Sequence, residues 1–393
     1  MTRSTYILIF VIFNITIGKA QTGMDILLDE IERNNKSLAT ERQYLEAQKL
    51  FYRTGLNPEN PKVEFDHLPG RPEGAGTQRE LSVTQAIDFP TVYGKRRKVS
   101  DELIQKAELE FNAARQRILS EAKHACIDYI YRKNLAVEFD KRSGHADALF
   151  LAINKQMQQG ESSILDVNKV KLLQLDINNQ AAVNTTSLRS LQRKLDELNG
   201  GIPVDLSTLE YPLVESLPPF EVLDSLIEAN DPEIKVLEQE KQISKEQVGL
   251  TSSLSLPKFE GGYHRQSILG QKYQGLHVAM TIPLWENKNR VKTEHARLTL
   301  SELESVEHRN MHYYQIKELY DQYLFWKKTH NDYQGILANA SNEQLLNKAL
   351  EAGQLSLIEY LMEVRYFYEA IIKNLEAERA LHEQIAELYK FEL

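Results

Sequence analysis

The sequence TVYGKRRKVS, residues 91–100, begins a run that contains no proline as far as residue 199. Pro90 directly precedes this run, Pro203 follows it, and beyond its first turn glycine occurs only at Gly144 and Gly160. Proline breaks a helix because it lacks an N–H donor and clashes with the preceding turn. A run of this length therefore predicts a helical hairpin far longer than an average globular helix.

A second proline-free run extends from residue 284 to residue 393 and contains glycine only at Gly335 and Gly353. In each run the later glycine, Gly160 or Gly353, falls where a hairpin would turn. The roughly 65 residues before each turn would form a helix about 100 Å long. This length is typical of a coiled-coil rod, or of a wall of such rods, rather than of a compact globular domain.

The composition of the chain argues against several classes of protein. The chain has 393 residues, a net charge of −9 and one cysteine, Cys126. The acidic balance argues against nucleic acid as the main partner. The single cysteine excludes an intrachain disulfide framework and a cysteine-rich metal site.

Residues 1–20 have the pattern of a secretory signal peptide. Arg3 supplies the positive charge, residues 6–13 are apolar, and the sequence GKA at residues 18–20 has the small residues of a cleavage region. The alternative is an N-terminal membrane anchor, for which the apolar run is short. We therefore expect an exported chain that has no transmembrane helix after cleavage.

Alternation of apolar and polar residues predicts four strands, at about residues 61–68, 79–90, 255–267 and 274–284. In the last of them Leu276, Val278 and Met280 alternate with His277 and Ala279. Strands of roughly 10 residues have the length that spans a membrane, with the apolar face toward lipid. Four strands cannot close a membrane barrel, so this interpretation requires several chains. The alternative is a small soluble sheet that is buried on one face.

The two halves of the chain repeat each other at nearly constant offset. Equivalent pairs are Ile31 and Ile227, Pro61 and Pro257, Pro90 and Pro283, and Gly160 and Gly353. The first two pairs are 196 positions apart and the last two are 193 apart. This pattern predicts a duplicated unit of helix, two strands and long hairpin, over residues 21–199 and 221–393. A proline-rich linker, residues 200–220, joins the two units.

Two segments at the predicted turns share a pattern: MQQGESSILDV, residues 157–167, and LEAGQLSLIEY, residues 350–360. Each has a glycine, a serine three positions on, an apolar pair and then an acid. Together with the repeated order of elements and a strand ending IPLW at residues 282–285, they resemble the TolC-like outer-membrane efflux channels of Gram-negative bacteria. The resemblance covers essentially the whole mature chain. Residues 81–98 are similar to the branch associated with heavy-metal efflux.

The resemblance implies a mainly α fold with a small β part, in which four transmembrane strands per chain form a trimeric α/β barrel in the outer membrane. The helices would form a tunnel across the periplasm. The implied partners are two further copies of the chain, outer-membrane lipid, a periplasmic adaptor (membrane fusion) protein and an inner-membrane pump, with the RND heavy-metal branch as one candidate. The implied role is passive export of solutes, such as drugs or heavy-metal ions, without enzyme activity or a cofactor.

The resemblance also assigns roles to residues at the hairpin tips. Asp166 and Glu359, each six residues after its glycine, would line the periplasmic entrance and attract cations. The alternative is that they are ordinary acids, favoured near a helix N-terminus. The residues implied at the tip on which an adaptor docks are Gly160, Ser163, Gly353 and Ser356. Each glycine also has a simpler explanation, since glycine commonly ends helices.

Two further features limit the function. The resemblance would place a tyrosine and an arginine around the second glycine, but this chain has Leu350 and Leu355 there, so we do not expect that gate. His308 and His312 have helical i, i+4 spacing but lack a nearby third ligand, which favours a solvated helix face over a metal site. The main alternative function is a periplasmic coiled-coil scaffold or adaptor without a pore, which would not need the strands.

Overall fold

The computed structural model describes residues 23–213, 216–339 and 342–393. The chain is mainly helical, at 71%, with a small antiparallel sheet. The predicted fold class is therefore confirmed at this level. The predicted signal peptide, residues 1–20, lies outside the described residues.

The helices are α1 Gly23–Asn34, α2 Lys36–Tyr52, α3 Thr91–Gln158, α4 Ile164–Leu198, α5 Phe220–Asn230, α6 Pro232–Leu254, α7 Arg290–Asn339, α8 Asn342–Glu351 and α9 Leu357–Leu388. The strands are β1 Lys62–Pro69, β2 Thr77–Ile87, β3 Lys258–Ile268 and β4 Gln271–Thr281. Each half has two helices, two strands and then long helices. This order is consistent with a duplicated unit, which remains a prediction.

Helix α3 connects the sheet to the far end of the molecule. It begins directly after Pro90 and continues for 68 residues, which corresponds to about 100 Å. Its first half packs against α2 and α6, where Lys106 pairs with Glu240 at 3.4 Å. Its second half packs against α4 and α9. Among the described residues, no helix is long and apolar enough to cross a membrane.

The buried apolar residues form separate clusters along the molecule. One cluster joins α1, α3, the end of α4 and the linker after it, with Ile31, Ile127, Leu195 and Leu209 fully buried. Another lies beside the hairpin turns and joins α3, α4 and α9. An elongated molecule cannot gather its apolar residues at one centre, so each section of the helices has its own small core.

Each unit is predicted to begin with one helix, but the structure divides that helix in two. In the first unit α1 and α2 are separated at Asn35, whose side-chain oxygen accepts from the Leu38 N–H at 2.9 Å. The Asn35 amide also donates to the Leu198 carbonyl at 2.7 Å. At the equivalent place in the second half, Asp231 caps α6 and Pro232 is its first residue. Side-chain caps begin new helices here, and periodicity alone does not reveal them.

The four strands pair in the order β1-β2-β3-β4, with every neighbour antiparallel. The register aligns Val63, Val83, Tyr263 and Leu276 in one cross-strand row. One face of the sheet is therefore apolar, as the alternation predicts. The opposite face holds the acids of the strands, which are Glu64, Asp66, Glu80 and Glu260.

The glycine that follows α4, Gly200, lies close to the backbone at the end of α1. Gly200 has a φ of +70°, and a Cβ there would clash with the backbone oxygen of Asn34. Gly201 has a φ of +88°, but a Cβ there would meet open space. We expect Gly200→Ala to lower the free energy of unfolding by about 1–2 kcal/mol more than Gly201→Ala, because only the first adds a clash to the backbone strain.

Thermal unfolding of the two variants in detergent, followed by circular dichroism, measures this difference. The Gly201→Ala variant is the matched control for the left-handed backbone. Equal stability of the two variants would contradict the close contact between the ends of α1 and α4.

Candidate functional site at the hairpin tips

The two hairpin turns lie together at the end of the molecule, about 100 Å along α3 from the sheet. The first turns of α4 and α9 share one buried cluster, in which Val167 and Val170 of α4 pack with Tyr360 and Val364 of α9. The structure therefore brings the two predicted tip segments side by side, although 193 positions separate their glycines.

Both turns have the same backbone geometry. Gly160 has a φ of +76° and Gly353 a φ of +68°. The residue after each glycine donates its N–H back into the preceding helix, from Glu161 to Gln156 and from Gln354 to Ala349, both at 2.9 Å. A Cβ at either glycine would meet open space, so the left-handed backbone, and not crowding within the chain, requires glycine here.

The predicted serines and acids pair with each other as reciprocal helix caps. Ser163 Oγ accepts from the Asp166 N–H at 3.2 Å, and the Asp166 carboxylate accepts from the Ser163 N–H at 3.3 Å. Ser356 Oγ accepts from the Glu359 N–H at 3.3 Å, and the Glu359 carboxylate accepts from the Ser356 N–H at 2.8 Å. Each pair is a capping box, which satisfies helix N–H groups that otherwise lack partners. This arrangement explains the spacing of serine and acid on structural grounds.

The caps also keep the two acids ionised. Hydrogen bonds from Ser163 and then from Lys169, whose Nζ lies 3.0 Å from the carboxylate, lower the pKa of Asp166 to about 2. Hydrogen bonds from Ser356 likewise lower the pKa of Glu359. Glu359 is exposed at the surface of the single chain, and Asp166 is partly exposed beside Lys169. Both carboxylates are therefore ionised at neutral pH, and that of Asp166 is paired with the Lys169 ammonium.

Apolar side chains surround these acids without being covered by the chain itself. The residues beside the two acids that are more than half exposed are Ile164, Leu165, Ile358 and Met362. Leu350, at the position where the resemblance would place a tyrosine, packs instead against the buried cluster beside the turns. Exposed apolar groups next to a rigid turn are typical of a surface that binds another protein.

A polar network close to the tips was not predicted from the sequence. The hydroxyl of the fully buried Tyr360 lies 2.7 Å from both His145 Nε2 and Asn347 Oδ1. His145 Nδ1 lies 2.8 Å from the hydroxyl of Tyr368. Arg142 donates to the Tyr368 carbonyl at 3.0 Å, and its guanidinium lies 4.2 Å from the ring centroid of Tyr368. The network joins α3, α8 and α9 just behind the turns.

Both ring nitrogens of His145 have partners in this network. Nδ1 lies against the Tyr368 hydroxyl, and Nε2 lies 2.7 Å from the Tyr360 hydroxyl and 3.1 Å from Asn347 Oδ1. No role is predicted for His145 from the sequence. Its partners are more than 200 positions away in the sequence, so their spacing carries no local signal.

Comparison with solved structures finds the same fold in outer-membrane proteins. CusC, for which transmembrane channel formation is described, has a TM-score of 0.78 at 14% identity, over 96% of this chain and 95% of that one. The CmeC outer membrane channel of Campylobacter jejuni gives 0.70 at 14% identity, over 94% and 85%. The outer membrane protein VceC of Vibrio cholerae gives 0.70 at 16% identity, over 94% of each chain.

No protein-family model and no curated protein matches the chain at the level of sequence. At identities this low, the likeness establishes the fold. The chain thus has the fold of the TolC-like outer-membrane channels, as the sequence resemblance predicts. In the described residues, no group of three or more histidine, cysteine or acidic side chains is placed to hold a metal ion.

The capping box at the first tip can be tested by removing the serine hydroxyl. We expect Ser163→Ala to weaken the first turn of α4 by about 1 kcal/mol, because the Asp166 N–H loses its acceptor. Hydrogen exchange of the amides at residues 164–168 measures this loss. Ser187→Ala, in the middle of the same helix, is the control, and equal exchange in both variants would exclude a capping role for Ser163.

The network behind the tips can be tested at its buried hydroxyl. We expect Tyr360→Phe to lower the free energy of unfolding by about 1–3 kcal/mol, because His145 and Asn347 lose a buried partner. Tyr366→Phe is the control, since Tyr366 lies on the same helix with its side chain largely exposed. Thermal unfolding in detergent compares the two, and equal midpoints would show that the hydroxyl of Tyr360 contributes nothing.

Proposed function

We propose that the chain is the outer-membrane channel of a tripartite efflux system, through which solutes pass without catalysis. An inner-membrane pump and a periplasmic adaptor would deliver these solutes. The observation that carries the proposal is the sheet, which has one apolar exposed face, one acidic face and two open edges. The fold shared with outer-membrane channels supports it.

The edges of the sheet favour a closed assembly of several chains. β1 and β4 are the outer strands, and among the described residues each has a strand on one side only. Lipid cannot hydrogen-bond the free N–H and C=O groups of such an edge. If β4 of one copy pairs with β1 of the next, three copies close a barrel of twelve strands and no edge remains. The apolar face would then contact lipid and the acidic face would line the lumen.

Two helices offer the matching surfaces between copies. In the described contacts α4 packs mainly on α3, while α7 packs on α6 and α9, so α4 and α7 lie at opposite sides of the helical layer. Both expose apolar residues at helical spacing. On α4 these residues are Leu172, Leu175 and Val183, and on the half of α7 nearer the tips they are Phe325 and Ile336. Packing α4 of one copy against this half of α7 in another would bury both sets in a homotrimer.

The hairpin tips would then form the periplasmic entrance. Three copies of Asp166 and Glu359 would place six carboxylates around one axis, and such a ring attracts cations. An adaptor would dock on the outer surface of the tips, at Gly160 and Ser163 of one hairpin and at Gly353 and Ser356 of the other. The outer membrane of a Gram-negative bacterium would hold the sheet, and the helices would extend into the periplasm. The similarity of residues 81–98 favours a pump of the RND heavy-metal branch.

Single-channel conductance in planar bilayers tests the channel and its entrance together. We expect discrete cation-selective steps from the wild-type protein and weaker selectivity from the double variant Asp166→Asn, Glu359→Gln. These substitutions remove the charges but keep an oxygen that can accept from each serine N–H, so the helix caps persist. A double variant Ser163→Ala, Ser356→Ala, which keeps both charges, is the matched control for a weakened cap.

The outcomes separate three accounts. Loss of selectivity in the charge variant alone supports the acid ring. Equal selectivity in all three proteins keeps the channel but removes Asp166 and Glu359 from its entrance. A folded protein that produces no steps would contradict the channel and favour the alternative of a periplasmic scaffold or adaptor without a pore.

A further inference from the structure

Charged residues are divided between the two faces of the sheet according to their sign. The acids of the four strands all lie on the polar face. The apolar face contains no acid within the strands, but it holds Arg79, Arg265 and Lys272. Mixed charge would be the ordinary arrangement on a solvated sheet. The apolar face is instead purely cationic wherever it is charged.

These three cations lie at one end of the sheet. The apolar row of Val63, Val83, Tyr263 and Leu276 is followed by a row that contains Arg265, and then by a row that contains Arg79 and Lys272. This is the end at which loops join β1 to β2 and β3 to β4, and it lies opposite the end that continues into the long helices. The cations therefore mark the border of the apolar face that is farthest from the helices.

The chain pairs the cations of the other face but leaves these three uncompensated. On the polar face, Lys62 Nζ lies 2.5 Å from a Glu64 oxygen, and Lys258 Nζ lies 3.7 Å from an Asp88 oxygen. Arg79, Arg265 and Lys272 are exposed, and none of them has an ion pair with any described residue. Three like charges on one side of a small sheet repel each other, so an external anion would stabilise them.

We propose that Arg79, Arg265 and Lys272 form a cationic belt that binds the phosphate groups of anionic lipids in the leaflet next to the loops. This inference rests on the proposed function, in which the apolar face contacts lipid. The proposal explains both the sign of the charge and the absence of acids from the strand positions of this face. Guanidinium groups suit this partner, because they bind phosphate oxygens in pairs.

The depth of the belt fits the position of lipid headgroups. From the row of Phe259 and Met280 to the row of Arg79 and Lys272 there are eight residues along β3, which is about 26 Å along the strand and about 20 Å of height at a strand tilt of about 40°. The apolar band of a transmembrane barrel is about 25 Å tall. A cation at this border can extend its head to the interface while its stem remains against apolar groups. In a trimer the belt would repeat three times around the barrel.

Retention of lipid by the purified full-length chain tests the proposal. The protein is held on affinity resin in neutral detergent, and fluorescent phosphatidylglycerol or phosphatidylcholine is added. We expect the wild type to retain more phosphatidylglycerol, and the triple variant Arg79→Gln, Arg265→Gln, Lys272→Gln to lose this preference by about tenfold or more. The control, Lys62→Gln with Lys258→Gln, removes cations from the other face of the same sheet and should keep the preference for phosphatidylglycerol.

Each outcome has a distinct meaning. Equal retention of the two lipids by the wild type would overturn the belt while leaving the apolar face as a membrane surface. Retention of neither lipid by a protein with wild-type helical circular dichroism would contradict the membrane assignment itself. Loss of the preference in both variants would also overturn the proposal, since it would trace the effect to total charge and not to the outward face.

Discussion

The backbone N–H and C=O groups at the two edges of the four-stranded sheet need hydrogen-bond partners. This requirement limits the environments in which the sheet is stable. β1 and β4 expose a row of N–H and C=O groups, and the face between them is apolar. Water could satisfy the edges but not the apolar face, and lipid could cover the apolar face but not the edges. Closing the sheet with other copies satisfies both requirements together. The sheet alone therefore favours closure by several copies, and the proposed number of three rests on the resemblance to the TolC-like channels.

Helix α3 connects the sheet to the hairpin tips at the other end of the molecule. It contacts α2 and α6 near the sheet and α4 and α9 near the tips, so one rigid element spans the whole length. At the far end, the buried network of His145, Tyr360 and Asn347 joins α3 to the second hairpin. At the tips, Asp166 and Glu359 also have a structural role, because each belongs to a capping box at the start of its helix. This capping role does not exclude a role at an entrance, because both carboxylates keep some contact with solvent while they accept their hydrogen bonds.

Sequence periodicity predicted the elements better than their junctions and contacts. Proline-free runs and alternation showed where α3 and β4 lie, because both signals are local. The breaks at Asn35 and Asp231 were missed, because a side chain that caps a new helix does not interrupt the apolar pattern. The polar network was missed because its members come from distant segments that only the packing of α3 against α9 brings together. The paired serines and acids were found through their repetition, but their capping geometry required the structure.

The central claim is that one face of the sheet contacts lipid while the other faces water. Single cysteines introduced along β4 test this claim most directly. The native Cys126 does not interfere, because burial raises the pKa of its thiol to about 12 and keeps it unreactive. The substitutions are Leu276→Cys, Val278→Cys and Met280→Cys on one face, and His277→Cys and Ala279→Cys on the other. In membranes, a charged water-soluble maleimide should label only the cysteines at positions 277 and 279. Equal labelling at all five positions would contradict the account.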